Sequence, residues 1–322
     1  MDLTARKPER KAEAASRAGY LNRRRWTWVL FMLPAVAVYI GFMAFPLFNS
    51  MRLSFFTGQG LTPERFVGFD NYVRLFTNDL WRTSWLNAFG NTWIFFAVHM
   101  LVQNTLGLLF ATLLSTSIRG HNIYRTIIFA PVTLSTLVIG FLWRLLLNPQ
   151  WGAVNQTLEA VGLEAWTRPW LGDPKVALIV IALVSSWQWV GLPTMMFMAG
   201  LLGIPEEVTE AARVDGASSW QTFWRIKFPL LLPIIGIVSV LTFVNNFNAF
   251  DIIFAMAGSR GEPGYATDIL GTFFYRTAIA GEHPVARPDM GMGAAVATIT
   301  FLVLLVGVSL WLFFSRKQEV EL

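Results

Sequence analysis

The stretch Glu210-Ala211-Ala212-Arg213-Val214-Asp215-Gly216 lies between two long apolar runs of this chain, and Ile226 and Pro229 follow it. Half of the ten residues that flank it, five before and five after, carry a charge or a hydroxyl: Glu206, Glu207, Thr209, Ser218 and Ser219. Burial of apolar surface therefore gives no reason for its position. The stretch therefore predicts a segment that protrudes from an apolar environment and contacts another molecule.

A helix is predicted for the first part of this segment. Pro205 suits the start of a helix, and Glu206 and Glu207 add negative charge where the helix dipole favours it. A small apolar face is formed by Val208, Ala211 and Ala212. Gly216 suits the left-handed residue that ends a helix.

A second short helix is predicted directly afterwards, at an angle to the first. Ser218 and Gln221 have the spacing of a capping box, and Pro229 marks the entry to the next apolar run. Such a segment could equally rest on a membrane surface as an amphipathic loop. A DNA-reading helix-turn-helix is disfavoured because both ends are tethered to apolar runs.

The composition is that of a membrane protein. Of the 322 residues 54% are hydrophobic and 14% are charged, whereas soluble domains have about 25% charged residues. The mean hydropathy is +0.50. There is no cysteine, and the three histidines are far apart, which leaves no thiol nucleophile and no metal-binding motif.

Six stretches without Asp, Glu, Lys or Arg are long enough, at roughly 20 residues, to cross a bilayer. They are 27–48, 92–114, 126–143, 176–203, 228–250 and 290–314. The sequence thus predicts an all-α membrane protein with six transmembrane helices. More basic residues fall on the side of the N-terminus, which predicts that both termini and the Glu210–Gly216 segment are cytoplasmic. We assign 1–25 to a cytoplasmic N-terminal tail, 26–316 to one transmembrane domain and 317–322 to a cytoplasmic C-terminal tail.

Polar residues inside predicted spans are candidates for a substrate pathway, because they are costly in a bilayer. The fifth span ends in Asn245-Asn246-Phe247-Asn248-Ala249-Phe250-Asp251. Carboxamides suit sugar hydroxyls, and aromatic rings suit the apolar faces of a pyranose. A helical wheel places Phe243, Phe247, Phe250 and Phe254 on one face and Asn245 and Asn248 roughly opposite. The alternative is that these Asn residues bond neighbouring helices.

The fourth span carries Trp187-Gln188-Trp189, which could also stack on and bond a sugar; packing around a proline kink at Pro193 is the alternative. Gln103 and Asn104 are weaker candidates. We interpret His99 as a packed, hydrogen-bonded residue rather than a proton relay.

The spacing Glu-Ala-Ala-x3-Gly-x9-Ile-x-x-Pro resembles the cytoplasmic coupling loop of ABC importer permeases. The residues that match are Glu210, Ala211, Gly216, Ile226 and Pro229, and Ala212 through Asp215 with Ala217 and Ser218 resemble the carbohydrate branch. Phe228 replaces the usual Leu. Three further stretches, Phe66–Tyr72, Arg125–Pro131 and Tyr275–Ala278, resemble the first of the paired maltose-type or glycerol-phosphate-type subunits.

The resemblance implies a permease subunit in the bacterial inner membrane that pairs with a second permease, two cytoplasmic ATPases and an extracytoplasmic sugar-binding protein. The coupling residues would include Glu207, Ala212 and Asp215 beside the matched positions. No G-x-x-x-x-G-K-[ST] segment is present, so Mg-ATP would bind the partner ATPases and no cofactor, metal or nucleic acid is expected on this chain.

The sequence disfavours two other classes of function. A secondary transporter driven by ions would usually place carboxylates inside its spans, and here Asp251 and Asp289 only border them. An intramembrane enzyme would need paired carboxylates, H-E-x-x-H or a Ser/His pair, and no such catalytic set occurs in a span. A neutral oligosaccharide is favoured over a phosphate-bearing cargo, because Arg144 at a span edge is the nearest cation.

Overall fold

Helices dominate the computed structural model, which describes residues 28, 30–58, 64–116 and 119–315. The chain divides into two compact units, Met1–Arg52 and Leu53–Leu322. The predicted tails 1–25 and 317–322 lie outside the described residues, so those boundaries remain predictions. In the first unit the described residues form most of one apolar helix, α1 (Leu30–Leu53), which contains a π-helical turn at Ile40–Ala44.

The second unit contains two short strands and twelve further helices within its described residues. The strands β1 (Phe56–Thr57) and β2 (Arg65–Phe66) pair antiparallel. The helices in chain order are α2 (Asp70–Thr77), α3 (Asp79–Leu114), α4 (His121–Phe129), α5 (Thr136–Leu146), α6 (Ala153–Ala160), α7 (Ala177–Trp189), α8 (Gly191–Leu202), α9 (Glu206–Val214), α10 (Ser219–Phe247), α11 (Asp251–Ala257), α12 (Leu270–Tyr275) and α13 (Met290–Ser315). Short 3₁₀ turns at Ala130–Thr133 and Glu164–Trp166 and π turns at His99–Asn104, Phe223–Lys227 and Arg276–Ala280 complete them.

Four helices of the described chain, α1, α3, α10 and α13, are long and apolar enough to cross a membrane. Two bent pairs pass the same test together: α4 with its 3₁₀ turn joins α5 at 96°, and α7 joins α8 at 47°. The count is therefore four, or up to six if each bent pair is one span. The third and fourth predicted spans are thus broken rather than continuous, because Pro131 and Pro193 lie at the breaks and lack a backbone N–H.

The two broken spans meet at their breaks. Gln188, fully buried at the end of α7, donates through Nε2 to the backbone O of Leu134 and to Thr136 Oγ1, both at 3.2 Å. A Cβ on Gly191 would lie 2.9 Å from Ile128 O, so only glycine permits this close approach of the two backbones. The amide of Gln188 therefore satisfies a carbonyl that the break would leave unpaired inside an apolar bundle.

The loop between α11 and α13 is held by a buried ion pair. Arg276 Nη2 donates to Asp268 Oδ2 at 2.6 Å, and both side chains are almost fully buried. The guanidinium also lies over the Tyr265 ring, 4.9 Å from its centroid. Burial raises the pKa of the Asp268 carboxyl to about 6, while the positive charge of Arg276 acts in the opposite direction. The carboxylate is therefore ionised at neutral pH.

This loop is fixed to α3 by side-chain amides. Asn91 Nδ2 donates to the backbone O of Asp268 at 2.9 Å, and Asn87 Nδ2 donates to Tyr265 O at 2.8 Å. Thr92 Oγ1 accepts from Leu270 N at 3.0 Å, where α12 begins. The part of α3 at and before the start of the predicted second span thus anchors the loop.

Gly191→Ala is expected to destabilise the protein by about 1–3 kcal/mol, because its Cβ would force the two breaks apart. The matched control is Gly90→Ala in α3, where an added Cβ meets nothing within 4 Å. Thermal unfolding of the two purified variants measures the difference. A Gly191→Ala protein that unfolds at the wild-type temperature would contradict the close packing of the breaks.

Asp268→Asn is expected to cost about 3–5 kcal/mol, because it leaves the guanidinium of Arg276 buried without a counter-charge. The control is Arg260→Gln in the more exposed pair Arg260–Glu282, whose atoms are 3.4 Å apart and whose loss should cost under about 1 kcal/mol. A double-mutant cycle with Arg276→Gln, followed by thermal unfolding, measures the coupling. Additive effects of the two changes would show that the pair contributes no coupling.

Candidate functional site

The segment that the sequence singled out forms helix α9 and a glycine-terminated turn. After Asp215 the chain turns at Gly216, where φ is +80°. Gly216 N donates to Arg213 O at 3.0 Å, and Ala217 N donates to Ala212 O at 2.9 Å. This pair of hydrogen bonds is the Schellman arrangement, which uses the last carbonyls of the helix and requires the left-handed residue that glycine supplies.

The second predicted short helix is instead the first turn of α10. Ser218 and Gln221 form the predicted capping box, with Ser218 N donating to Gln221 Oε1 at 2.8 Å. The helix then continues to Phe247 without ending, so Pro229 lies inside it rather than at its start. The π turn Phe223–Lys227 accommodates this proline, whose ring and missing N–H disturb ordinary α-helical bonding to the preceding turn.

The predicted coupling segment, Glu207–Pro229, is largely open to its surroundings. Glu207, Glu210, Ala211, Asp215 and Gly216 are exposed. Ala212 is buried and Ile226 is half-buried, while Pro229 is exposed. Apolar side chains are exposed here too, with Val214 87% and Trp220 72% accessible.

The charges of this segment are not used within the described part of the chain. The ion pairs found there join Arg260 to Glu282 and Arg276 to Asp268, and neither involves the segment. A helix that presents unpaired carboxylates together with exposed Val214 offers both charge and apolar surface to a partner.

A cavity of about 430 Å³ lies among α3, α7, α8, α10 and α11. Of the predicted pathway residues it gathers Trp189, Asn245, Asn246, Asn248, Phe250 and Asp251. Asn245 and Asn248 are exposed and Asn246 is buried. The structure thus brings most of the predicted polar set to one place.

Three predicted pathway residues lie outside the lining of this cavity. Trp187 packs edge-on against Trp143, with ring centroids 5.7 Å apart. Gln188 donates hydrogen bonds to Leu134 O and Thr136 Oγ1 where the two broken spans meet. Phe247 is buried against Trp93 at 5.1 Å.

The helical wheel misplaced the aromatic residues because α10 ends at Phe247. The chain turns through Asn248–Phe250 before α11 begins, so Phe250 and Phe254 do not continue the face of Phe243 and Phe247. Phe250 instead stacks on Phe254, with centroids 5.1 Å apart, and packs on Tyr275 at 5.0 Å. The local signal was Asn248 and Asp251, because Asn and Asp favour turns and helix starts, and the helical wheel did not take it into account.

Other polar residues line the cavity, and of these only Gln103 was among the predicted pathway candidates. They are chiefly His99, Gln103, Thr136, Ser185 and Thr242. His99 is buried and hydrogen-bonded as predicted, with Nδ1 2.8 Å from Phe95 O and Nε2 3.0 Å from Ser185 Oγ. The available signal was the presence of polar residues within apolar runs, but their convergence depends on tertiary packing.

His99, Gln103 and Asn104 share the π turn in the middle of α3. Asn104 Nδ2 donates to Thr242 Oγ1 at 3.1 Å and so ties α3 to α10 beside the cavity. Single π turns inside α-helices occur often at functional sites. Here the turn places two polar side chains on the cavity and a third on the neighbouring helix.

Comparison with known proteins identifies the family. The model of the family described as "Binding-protein-dependent transport system inner membrane component" matches residues 103–319. The chain is 33% identical over 288 residues to the probable ABC transporter permease protein YurN of Bacillus subtilis, covering 88% of this chain and 94% of that protein. It is 32% identical to the multiple sugar-binding transport system permease protein MsmF of Streptococcus mutans, covering 92% and 97%.

A solved structure has the same fold. The chain superposes with a TM-score of 0.79, at 23% identity, on a chain from the crystal structure of a bacterial ABC transporter involved in the import of the acidic polysaccharide alginate. The match covers 94% of this chain and 100% of that chain. The family match over most of the chain and the long relatives above 30% identity lead to one conclusion: this chain belongs to the family of binding-protein-dependent transport system inner membrane components.

Proposed function

We propose that the chain is the membrane-spanning permease subunit of an ATP-driven, binding-protein-dependent sugar importer. The observation that carries this proposal is the exposed helix α9, held between two membrane helices by a glycine turn and presenting charges that the described chain leaves unpaired. Family membership and the sugar-transport name of MsmF support it. The chain would lie in the bacterial inner membrane with several spans.

The proposal includes partners that supply energy and cargo. A second permease, in a heterodimer, would complete the pathway, and two cytoplasmic ATPases would dock on the coupling loops. An extracytoplasmic binding protein would deliver the sugar. Because the chain has no P-loop sequence, ATP and Mg²⁺ would act on the ATPases and this subunit would have no catalytic site of its own.

Helix α10 provides a physical route between the coupling segment and the cavity. Its capped first turn directly follows Gly216, and its last turn carries Asn245 and Asn246 on the cavity. The helix has 29 residues and is therefore roughly 40 Å long at 1.5 Å per residue. ATP-driven closure of the ATPases would move α9 and α10 together and change which side the cavity opens to, which is alternating access.

The orientation forms part of the proposal. The N- and C-termini and α9 would face the cytoplasm, which the distribution of basic residues supports. The loop held by Asp268 and Arg276 lies between α11 and α13 and would face outward. It would then be available to the binding protein as a rigid surface.

The coupling segment is tested by Gly216→Ala and Glu210→Ala in the purified complex of both permeases and the ATPases. Gly216→Ala forces an L-residue into a left-handed conformation at a cost of about 1–2 kcal/mol, so it should deform the turn between α9 and α10. We expect each variant to lose the ATPase subunits or to lose sugar-stimulated ATP hydrolysis. Co-purification and phosphate release measure these outcomes.

The matched control for this test is Gly203→Ala at the end of α8. Its φ is −80°, and an added Cβ would make only ordinary contacts, the nearest at 3.5 Å. This variant should keep its ATPases and its stimulation. A chain that purifies alone, with silent changes at Glu210 and Gly216, would refute the importer function.

The pathway role of the cavity is tested by cysteine labelling. Because this chain has no cysteine, no native cysteine has to be replaced in it first. A cysteine at Asn245, which is exposed in the cavity, should react with a charged, water-soluble maleimide and be protected by transported sugar. Phe247→Cys, on the same helix but 2% exposed, should not react. Equal labelling of the two positions would argue against a water-filled pathway at this site.

A further inference from the structure

The side-chain amides of α10 present mainly oxygen atoms to the cavity. Asn246 Nδ2 donates to Thr242 O at 2.7 Å, and Asn248 Nδ2 donates to Val244 O at 3.0 Å. A backbone carbonyl can only accept, so each amide must turn its NH₂ group toward the helix. Both Oδ1 atoms are left over, and Asn246 Oδ1 is buried without a partner.

Two hydroxyl hydrogens nearby, those of Ser185 and Thr242, are also committed. Nδ1 of His99 faces Phe95 O and must carry a proton, so in the neutral ring Nε2 accepts the hydrogen of Ser185 Oγ. Thr242 Oγ1 lies 2.8 Å from Val238 O and donates to it. These two hydroxyls therefore offer lone pairs to the cavity rather than hydrogens.

Two side-chain amides of the lining can still both donate and accept a hydrogen bond. Gln103 and Asn245 make no hydrogen bond among the described residues, and Gln103 Oε1 is buried without a partner. Each can accept and donate at once, which matches a hydroxyl group. The Thr136 hydroxyl, which accepts from Gln188, and the Trp189 indole N–H remain as donors, but with the carboxylate of Asp251 the lining still has more free acceptors than free donors.

The charge of the lining likewise disfavours an anionic ligand. Asp251, in the first turn of α11, is exposed on the cavity. Its negative charge is favoured in the first turn by the helix dipole. Among the described residues that line the cavity, none is Lys or Arg.

We propose that the wall this subunit gives to the cavity selects a neutral, hydroxyl-rich sugar and rejects acidic sugars. The inference rests on the importer function proposed above. Each sugar hydroxyl donates one hydrogen and so pairs with an acceptor of the wall. A uronate carboxylate can only accept, finds few free donors in this lining and meets Asp251 as a like charge, so it would lose more hydration than the lining replaces.

The test measures sugar binding to the purified complex without its binding protein, so that the selectivity of that protein does not enter. The probes are maltotriose and trigalacturonate, observed by saturation-transfer NMR, which detects weak binding. Wild-type complex should give signals with maltotriose and none with trigalacturonate. Asp251→Lys should raise trigalacturonate binding by about tenfold or more, because it converts repulsion into attraction.

The control is Glu159→Lys, which makes the same charge change at an exposed position on α6, outside the cavity lining. This variant should bind maltotriose and trigalacturonate as the wild type does. Size-exclusion chromatography checks that each variant complex is assembled. Wild-type complex that binds trigalacturonate as well as maltotriose overturns the inference. So does an Asp251→Lys variant indistinguishable from Glu159→Lys, or a complex that binds neither probe.

The two proposals fail in different ways. If the Glu210→Ala complex loses stimulated ATP hydrolysis while the wild type binds acidic sugar, the importer function stands and only the selectivity is wrong. If the coupling variants are silent, the importer function itself fails.

Discussion

The described structure depends on one constraint: inside an apolar bundle each backbone N–H and C=O needs a partner. Continuous helices meet this requirement by themselves, but the pairs α4–α5 and α7–α8 are broken. The buried amide of Gln188 supplies a donor to Leu134 O, and Gly191 lets the two breaks approach closely enough. At the end of α10 the NH₂ groups of Asn246 and Asn248 also donate to backbone carbonyls, and Val244 O thereby accepts from both the backbone N–H and the side chain of Asn248. The donor groups of these polar side chains are therefore largely used in hydrogen bonds to the backbone.

Satisfying the backbone also determines the chemistry of the cavity. Once the amide NH₂ groups and the Ser185 and Thr242 hydroxyls have donated elsewhere, oxygen atoms remain facing the cavity, next to the carboxylate of Asp251. Fold and selectivity are thus linked through the same side chains. A change at Asn246 would affect both the end of α10 and the hydrogen-bonding character of the cavity lining. In contrast, Gln103 and Asn245 have no partner in the described chain, so changes there separate binding from folding more cleanly.

The two ends of α10 meet different requirements. At its start, the Schellman turn at Gly216 and the capping box at Ser218 join it tightly to α9, which is exposed and can be moved by a partner. At its end, the chain turns beside the cavity before α11. The loop after α11 is held by the buried pair of Asp268 and Arg276 and by Asn91 on α3. A firmly held loop on one side and an exposed helix on the other suit a subunit that passes motion across a membrane.

The sequence by itself determined the helical membrane class, the helix and glycine turn at 206–216, the Ser218 capping box and the family, because these follow from composition, local backbone preference and a spaced motif. It also indicated the polar residues that gather at the cavity. Tertiary structure alone decided that the helix capped at Ser218 continues to Phe247, that the third and fourth spans are broken, that Trp187 and Phe247 lie off the cavity, and that His99 and Ser185 join it. These depend on how separate helices pack and on which carbonyl each amide satisfies. Such contacts join residues far apart in the chain, and no local pattern encodes them.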